Sequence, residues 1–186
     1  MIKQTLQHII GYCKCHANKI ISKGNCYIGI NCKIVNGGSI EIGENVKIRP
    51  YTNIYAVKDA SINLAGNVEI GRDSTLSAYN QIVMRGGVLT GPHVFIADHN
   101  HEYKDINIPV YKQGIRANEG DRVEIGEGTW IGTNAVIVGN VKIGRNCVIG
   151  ANSVVTRDIP DYCVAAGIPA KVIKKYDFST CKWIKA

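Results

Sequence analysis

The sequence has no run of apolar residues long enough to cross a bilayer, and its N-terminus lacks the apolar core and cleavage site of a signal peptide. These absences argue against a membrane-spanning or exported chain. We therefore expect a cytoplasmic protein.

The sequence also lacks a second ligand pair that could complete a zinc site with the cysteines and histidine of Cys13 to His16. We therefore expect no metal. Three of the seven cysteines, Cys26, Cys32 and Cys147, fall where the repeat described below places small inward residues. A thiol there behaves as a small hydrophobe, so disulfides are not needed.

Acidic residues are too few to balance the basic ones, which leaves a formal net charge of +7 and a pI near 9.0. Such a surplus favours an anionic partner. Aromatic residues are not interleaved along one groove as stacked bases require, so we expect a phosphorylated small molecule and no nucleic acid. Peripheral contact with an anionic membrane through the N-terminal segment stays open. Several lysines are grouped in the tail: Lys171, Lys174, Lys175, Lys182 and Lys185.

Aliphatic residues recur at every sixth position in two unbroken series. A helix repeats at roughly 3.6 residues and a half-buried strand at every second residue, so this period predicts a chain that turns a corner every six residues. A small or β-branched residue mostly stands four positions after each aliphatic one. Three short flat faces with this pairing fill a triangular prism, while glycine and asparagine supply the corners. The series are Leu64, Ile70, Leu76, Ile82, Val88, Val94 and Ile125, Ile131, Ile137, Ile143, Ile149, Val155.

Both ends of such a stack need covers, because each coil contacts only its neighbours. Residues 1–21 carry Ile2, Leu6, Ile9 and Ile10 at helical spacing, which predicts a helical N-terminal cap. Residues 160–186 lose the period and become basic, which predicts a C-terminal tail that folds back. Residues 22–159 then form the repeat domain.

The repeat and three segments resemble the hexapeptide-repeat acyltransferases, closest to those that O-acetylate sugars and surface polysaccharides. The segments are Thr129-Trp130-Ile131-Gly132, residues 149–160 and residues 165–171. The resemblance implies an all-β fold, a left-handed parallel β-helix. It also implies acetyl-CoA as cosubstrate and a homotrimer with active sites between subunits.

The prism is interrupted between the two series, which predicts an extruded loop over residues 98–122. A long polar excursion in a fold with tight corners is more often functional than accidental. Its histidines can accept a proton near neutral pH. A gap-free comparison of residues 94–101 with the galactoside and streptogramin acetyltransferases places His101 on their catalytic base, and His99 is the alternative.

Polar neighbours of these histidines are candidates for supporting roles. Asp98 or Glu102 would orient the imidazole by accepting its second N–H. Asn80 stands where the repeat expects a small inward residue, so we consider it, with Asp98, for binding the acceptor.

Trp130 precedes an inward isoleucine, so its indole must point outward, either against another subunit or as a wall for the pantetheine arm of coenzyme A. The resemblance implies that further residues contact coenzyme A, and that two lysines reach its nucleotide phosphates. The contacts are Thr133, Ala151, Thr156 and Arg157, and the lysines are Lys171 and Lys174.

These residues predict an acetyl-CoA-dependent O-acetyltransferase that modifies a sugar hydroxyl, of a surface polysaccharide or its precursor. Transfer is expected to be direct, because no cysteine has the setting of an activated nucleophile. N-acetylation of an amino sugar or nucleotide-sugar is the alternative. A γ-type carbonic anhydrase and a non-catalytic β-helix protein are the alternatives outside transferases; the former is disfavoured because the second series contains no histidine.

Overall fold

The computed structural model describes residues 10–11 and 13–186. The chain winds into a parallel β-helix, as the six-residue period predicts. Successive strands of each coil join three parallel sheets in turn, so that every sheet contains one strand from each level. The left hand of the coil stays a prediction from the resemblance.

Sheet A runs β1 (Ile21–Ser22), β4 (Ser39–Ile42), β7 (Ser61–Leu64), β10 (Gln81–Met84), β15 (Arg122–Ile125) and β18 (Val141–Ile143). Sheet B begins with β2 (Cys26–Ile28), β5 (Val46–Ile48), β8 (Glu69–Ile70), β11 (Leu89–Thr90), β16 (Trp130–Ile131) and β19 (Val148–Ile149). Sheet C runs β3 (Lys33–Asn36), β6 (Asn53–Ala56), β9 (Thr75–Ala78), β12 (Phe95–Ala97), β17 (Val136–Val138) and β20 (Val154–Val155).

The tail extends sheet B. Strand β21 (Cys163–Gly167) continues the parallel stack, and β22 (Ala170–Asp177) and β23 (Lys182–Lys185) then add to it as an antiparallel hairpin. At the other end, residues 10–11 and 13–17 are helical; we label this helix α1. Ile2, Leu6 and Ile9 of the predicted cap lie outside the described residues.

The core is a column of aliphatic side chains stacked at the same register on successive levels. Ile62, Ile82 and Val123 are direct cross-strand partners on sheet A, and all three are fully buried. Small polar residues at the second inward position are buried too, but each is satisfied by the backbone. The Thr129 hydroxyl, for example, donates to the Gly144 carbonyl oxygen at 2.8 Å.

The corners explain why glycine follows so many of the aliphatic residues. A Cβ placed on Gly71 would lie 2.1 Å from the Gly91 carbonyl oxygen of the next coil. Stacked coils therefore approach too closely at this corner for any side chain. Among the described residues, thirteen residues other than glycine have positive φ. Six of them are asparagine, which tolerates that conformation: Asn31, Asn45, Asn67, Asn134, Asn146 and Asn152.

The predicted extruded loop is confirmed. Strand β10 pairs directly with β15, Gln81 opposite Arg122, so the chain leaves the prism and re-enters at the next level without a shift in register. Inside the loop, β13 (Asn100–His101) and β14 (Ile115–Arg116) form an antiparallel pair, and α2 (Val110–Gln113) is a single helical turn.

Helix α1 packs against the first coil through two free thiols. The sulfurs of Cys15 and Cys26 lie 3.4 Å apart, and both residues are buried. The hydrogen bond from Cys15 lowers the pKa of Cys26 to about 7.

No helix among the described residues is long and apolar enough to cross a bilayer.

The column predicts that a truncated core residue is costly while its outward neighbour is not. Leu76 on β9 is fully buried between Ile54 and Ile96 of the adjacent levels. We expect Leu76→Ala to lower the free energy of unfolding by about 2–5 kcal/mol, because it leaves a cavity. The matched control Ser77→Ala, which points outward on the same strand, should change it by less than about 0.5 kcal/mol. Urea denaturation followed by circular dichroism measures both, and equal losses would contradict the stacked core.

Candidate active site

The loop and the adjoining corner of the prism enclose a cavity of about 730 Å³. Strands β12, β17 and β20 of sheet C end at this corner on successive levels, Ala97 opposite Val138 and Ile137 opposite Val155. The residues that follow these strands are therefore stacked along one edge. Residues from the strand ends and the returning part of the loop line the cavity, among them Asp98, His99, Asn100, Glu102, Arg116, Asn118, Asn140 and Thr156.

Asp98 is fully buried and is the anchor of this corner. Its carboxylate accepts hydrogen bonds from the backbone N–H groups of Tyr79, Asn80 and Gln81 at 2.8, 2.7 and 2.6 Å. Burial by itself raises the pKa of this carboxyl, but the hydrogen bonds from His99 and the three amides outweigh it and hold the pKa below its ordinary value. Asp98 thus joins the end of β12 to the turn between β9 and β10 on the level before it.

His99 is oriented by that carboxylate. Its Nδ1 lies 3.0 Å from Asp98 Oδ1, and its side chain is only 17% exposed. Because an ionised carboxylate can only accept, Nδ1 carries the proton in this contact. In the neutral ring, Nε2 is then the nitrogen able to accept a proton.

His101 occupies a different environment. It lies on β13 opposite Ile115 and is exposed. Its backbone N–H donates to Asn100 Oδ1 at 2.9 Å, but within residues 10–11 and 13–186 no hydrogen bond engages its imidazole. The structure therefore brings Asp98 to His99 and not to His101.

The other two supporting candidates contact the backbone of the loop. Glu102 Oε1 accepts the N–H groups of Tyr103 and Lys104, which lowers the pKa of the Glu102 carboxyl. The side chain of Asn80 donates to the Asn118 carbonyl oxygen at 2.8 Å, which ties the turn after β9 to the returning part of the loop. Asn80 thus lies at a corner and not inside the prism.

Several residues that line the cavity were given no individual role by the sequence, although three of them lie in the polar loop that it indicated. Asn140 and Asn100 line it, together with Arg116 and Asn118 of the returning loop. The register offers a signal for Asn140, because pairing Ala97 with Val138 places His99 level with Asn140. Arg116 and Asn118 carry no comparable signal, since only the folded pairing of β13 with β14 brings the returning loop to the histidines.

The predicted coenzyme A residues divide between two regions. Thr156 lines the cavity at the end of sheet C, with exposed Arg157 beside it. Trp130 is 51% exposed on the outer face of sheet B. The pairing register places it in one cross-strand row with Leu89, Val148, Val164 and Lys174.

Thr133 and Ala151 are stacked at the corner between sheets B and C. The backbone N–H of the residue after Ala151 donates to the Thr133 carbonyl oxygen at 2.9 Å. Lys171 lies on the tail strand β22, opposite Ala166, and is exposed. In a single chain, the predicted cofactor residues on sheet B and at the corner between sheets B and C therefore lie on one edge of the prism. The histidine loop lies on another edge.

Within the described part of the chain, no group of three or more histidine, cysteine, aspartate or glutamate residues is arranged to hold a metal ion. Cys13, at the start of the segment considered for zinc, is exposed, while Cys15 packs against Cys26.

Comparison with known proteins gives consistent matches. Residues 122–157 match the family described as bacterial transferase hexapeptide (six repeats). Over 167 residues the chain is 35% identical to a protein named as a lipopolysaccharide biosynthesis O-acetyl transferase, WbbJ, of Escherichia coli strain K12; the match covers 87% of this chain and 85% of that protein.

Solved structures give the same architecture. A maltose O-acetyltransferase from Clostridium difficile is 30% identical with a TM-score of 0.57, covering 85% of this chain and 70% of that one. AntD, an N-acyltransferase from Bacillus cereus solved with dTDP and 3-hydroxybutyryl-CoA, superposes with a TM-score of 0.74 over 92% of this chain and 90% of that one. AntD is only 19% identical, so that likeness shows the fold alone.

The anchoring role of Asp98 predicts a specific pH dependence. Because its pKa is lower in the folded chain than the ordinary value of about 3.9, its contribution to stability is present above that pH and is lost as the pH falls through the folded pKa. Asp98→Asn should cost about 2–3 kcal/mol of unfolding free energy at pH 7, because the NH2 group of the introduced asparagine cannot accept hydrogen bonds from the backbone N–H groups that face it. Urea midpoints should show a gap to wild type that is constant from pH 7 to about pH 5 and narrows at lower pH.

The control for this measurement is Glu119→Gln, which removes an exposed carboxylate of the same loop and should leave the urea midpoint nearly unchanged. A gap for Asp98→Asn that is the same at neutral and acidic pH would mean that ionised Asp98 is not the anchor.

Proposed function

The chain belongs to the hexapeptide-repeat transferase family, and on that premise we propose that it is an acetyl-CoA-dependent O-acetyltransferase acting on a sugar hydroxyl. The observation that carries the proposal is the cavity beside the histidine loop. Amide and charged side chains line it, which suits an acceptor with many hydroxyl groups. The name of the Escherichia coli relative supports a surface polysaccharide or its precursor as the acceptor.

We propose His101 as the general base. Its exposed imidazole is free of hydrogen bonds to the described residues, so either nitrogen can meet an acceptor. His99 is the second candidate, because Asp98 fixes its ring and leaves Nε2 able to accept a proton. The resemblance in the segment 94–101 favours His101.

In the proposed reaction the base removes the proton of the acceptor hydroxyl while the oxygen attacks the thioester carbonyl carbon. The tetrahedral intermediate then collapses, the carbon–sulfur bond breaks, and the departing thiolate takes the proton from the imidazolium. Direct transfer without an acyl-enzyme is consistent with the setting of three cysteines. Burial raises the pKa of the Cys32, Cys147 and Cys163 thiols, which makes them poor nucleophiles. Cys26, whose pKa is lowered, is buried against Cys15 and away from solvent.

A second copy of the chain would complete the site. Sheets B and C carry apolar residues on their outer faces, including exposed Leu89, Trp130 and Phe95. The outer row of sheet A is mainly polar, with Glu41, Asn63, Glu124 and Lys142 alongside Ile21 and Val83. Exposed apolar surface is normally covered. We therefore propose a homotrimer in which the edge between sheets B and C of one copy faces the histidine loop of another.

Coenzyme A would lie in that cleft. Trp130 supplies a flat wall for the pantetheine arm. Thr133, Ala151, Thr156 and Arg157 contact the cofactor from the prism edges, and Lys171 and Lys174 reach its phosphates from the tail. The exposure of Trp130, Lys171 and Lys174 on one outer surface supports this arrangement.

An acceptor panel tests the function. Release of free coenzyme A from acetyl-CoA is measured with sugars that offer only hydroxyl groups and with matched amino sugars. The proposal expects release with a hydroxyl acceptor. Preference for the amine would instead establish N-acetylation. Absence of release, together with no thermal shift on adding coenzyme A, would favour a non-catalytic β-helix.

The base assignment predicts that His101→Ala lowers kcat by about 10²–10⁴ while the KM for acetyl-CoA changes little. His99→Ala should have the smaller effect on kcat. The control is His93→Asn, because His93 lies at a corner with positive φ, a conformation that asparagine accepts. Steady-state kinetics measures these effects. If His99→Ala showed the larger loss of kcat and His101→Ala kept wild-type turnover, the general base would be His99.

A further inference from the structure

The tail hairpin places a lysine of β23 beside a lysine already considered for the cofactor. Lys174 on β22 and Lys185 on β23 are direct partners in the antiparallel register, with Cα atoms about 5 Å apart. Partners at such a position project on the same face. Lys185 therefore extends the outer row of sheet B by one strand.

The side chains of this row differ in polarity along its length. It runs from the indole of Trp130 through Val148 and Val164 to the ammonium groups of Lys174 and Lys185. At a spacing of about 4.8 Å per strand, Lys174 lies about 14 Å from Trp130 and Lys185 about 19 Å. The row thus changes from apolar to cationic toward the end of the stack.

This pair of cations is unfavourable without an anion. Like charges directly opposite each other on neighbouring strands repel. Within residues 10–11 and 13–186, no carboxylate lies within 4.0 Å of Lys171, Lys174 or Lys185 to form a salt bridge. Asp177, the acidic side chain of the hairpin, accepts hydrogen bonds from the hydroxyls of Ser179 and Thr180 instead.

Aromatic contacts hold the hairpin in place. The ring of Tyr176 packs edge-on against its cross-strand partner Trp183, with centroids 5.4 Å apart. Phe178 connects Tyr176 to Tyr162 of the last coil at 5.1 and 4.9 Å. These contacts fix β23, and with it the backbone of Lys185, relative to the prism.

We propose that Lys185 binds the 3′-phosphate of coenzyme A. The inference rests on the proposed function, because it takes coenzyme A as the ligand and Trp130 as the wall for its pantetheine arm. Along the cofactor, the pantetheine arm is followed by the diphosphate and then by the ribose with its 3′-phosphate. The same order along the row assigns the diphosphate to Lys174 and the more distant phosphate to Lys185.

Binding of two ligands by the full-length protein tests this assignment, with isothermal titration of coenzyme A and of dephospho-coenzyme A, which lacks the 3′-phosphate. Lys185→Gln should weaken coenzyme A about tenfold, the loss of one charge-assisted hydrogen bond, and leave dephospho-coenzyme A unchanged. The matched control Lys182→Gln removes the same charge from the same strand opposite Asp177 and should change neither affinity.

Three results would overturn the inference. Equal affinities of Lys185→Gln and wild type for coenzyme A would remove Lys185 from the site and leave the proposed function standing. Equal weakening of both ligands would place Lys185 on the diphosphate. Failure of the wild-type protein to bind coenzyme A would remove the proposed function as well. Thermal melting of each variant verifies that these exposed substitutions leave the fold intact.

Discussion

The constraint on which the structure depends is the close stacking of backbone on backbone at the corners of the prism. Gly71 lies so near the Gly91 carbonyl oxygen that no side chain fits between them. This contact brings each coil into hydrogen-bonding register with the next, and that register stacks Ile62, Ile82 and Val123 in the core. It also aligns the residues that follow the strands of sheet C, from which the cavity is built.

The parts of the structure that could be predicted from the sequence are those set by local repetition. The six-residue period predicted the coils, the inward residues and the interruption over residues 98–122, because each depends only on spacing along the chain. The orientation of Trp130 followed from alternation with Ile131. The assignment of β22 and β23 to sheet B could not be predicted, because those strands pair antiparallel outside the period.

The site shows the limit of the same reasoning. The sequence indicated the histidine loop, yet it did not distinguish an oriented imidazole from a free one. Asp98 reaches His99 because the turn at Tyr79, Asn80 and Gln81 presents three N–H groups at its carboxylate, a contact between levels that no local pattern encodes. The division of the proposed cofactor residues between two edges of the prism likewise needs the folded topology, and it is the reason for proposing a site built from more than one chain.

The direct pairing of β10 with β15 has a further consequence. Since the coil continues at the next level as though residues 98–122 were absent, the loop can open or change length without disturbing the rungs above and below it. Such an arrangement separates the residues that stabilise the fold from the residues of the loop. The coils supply a rigid frame, and in the proposed enzyme the loop, which can vary independently of them, would select the acceptor.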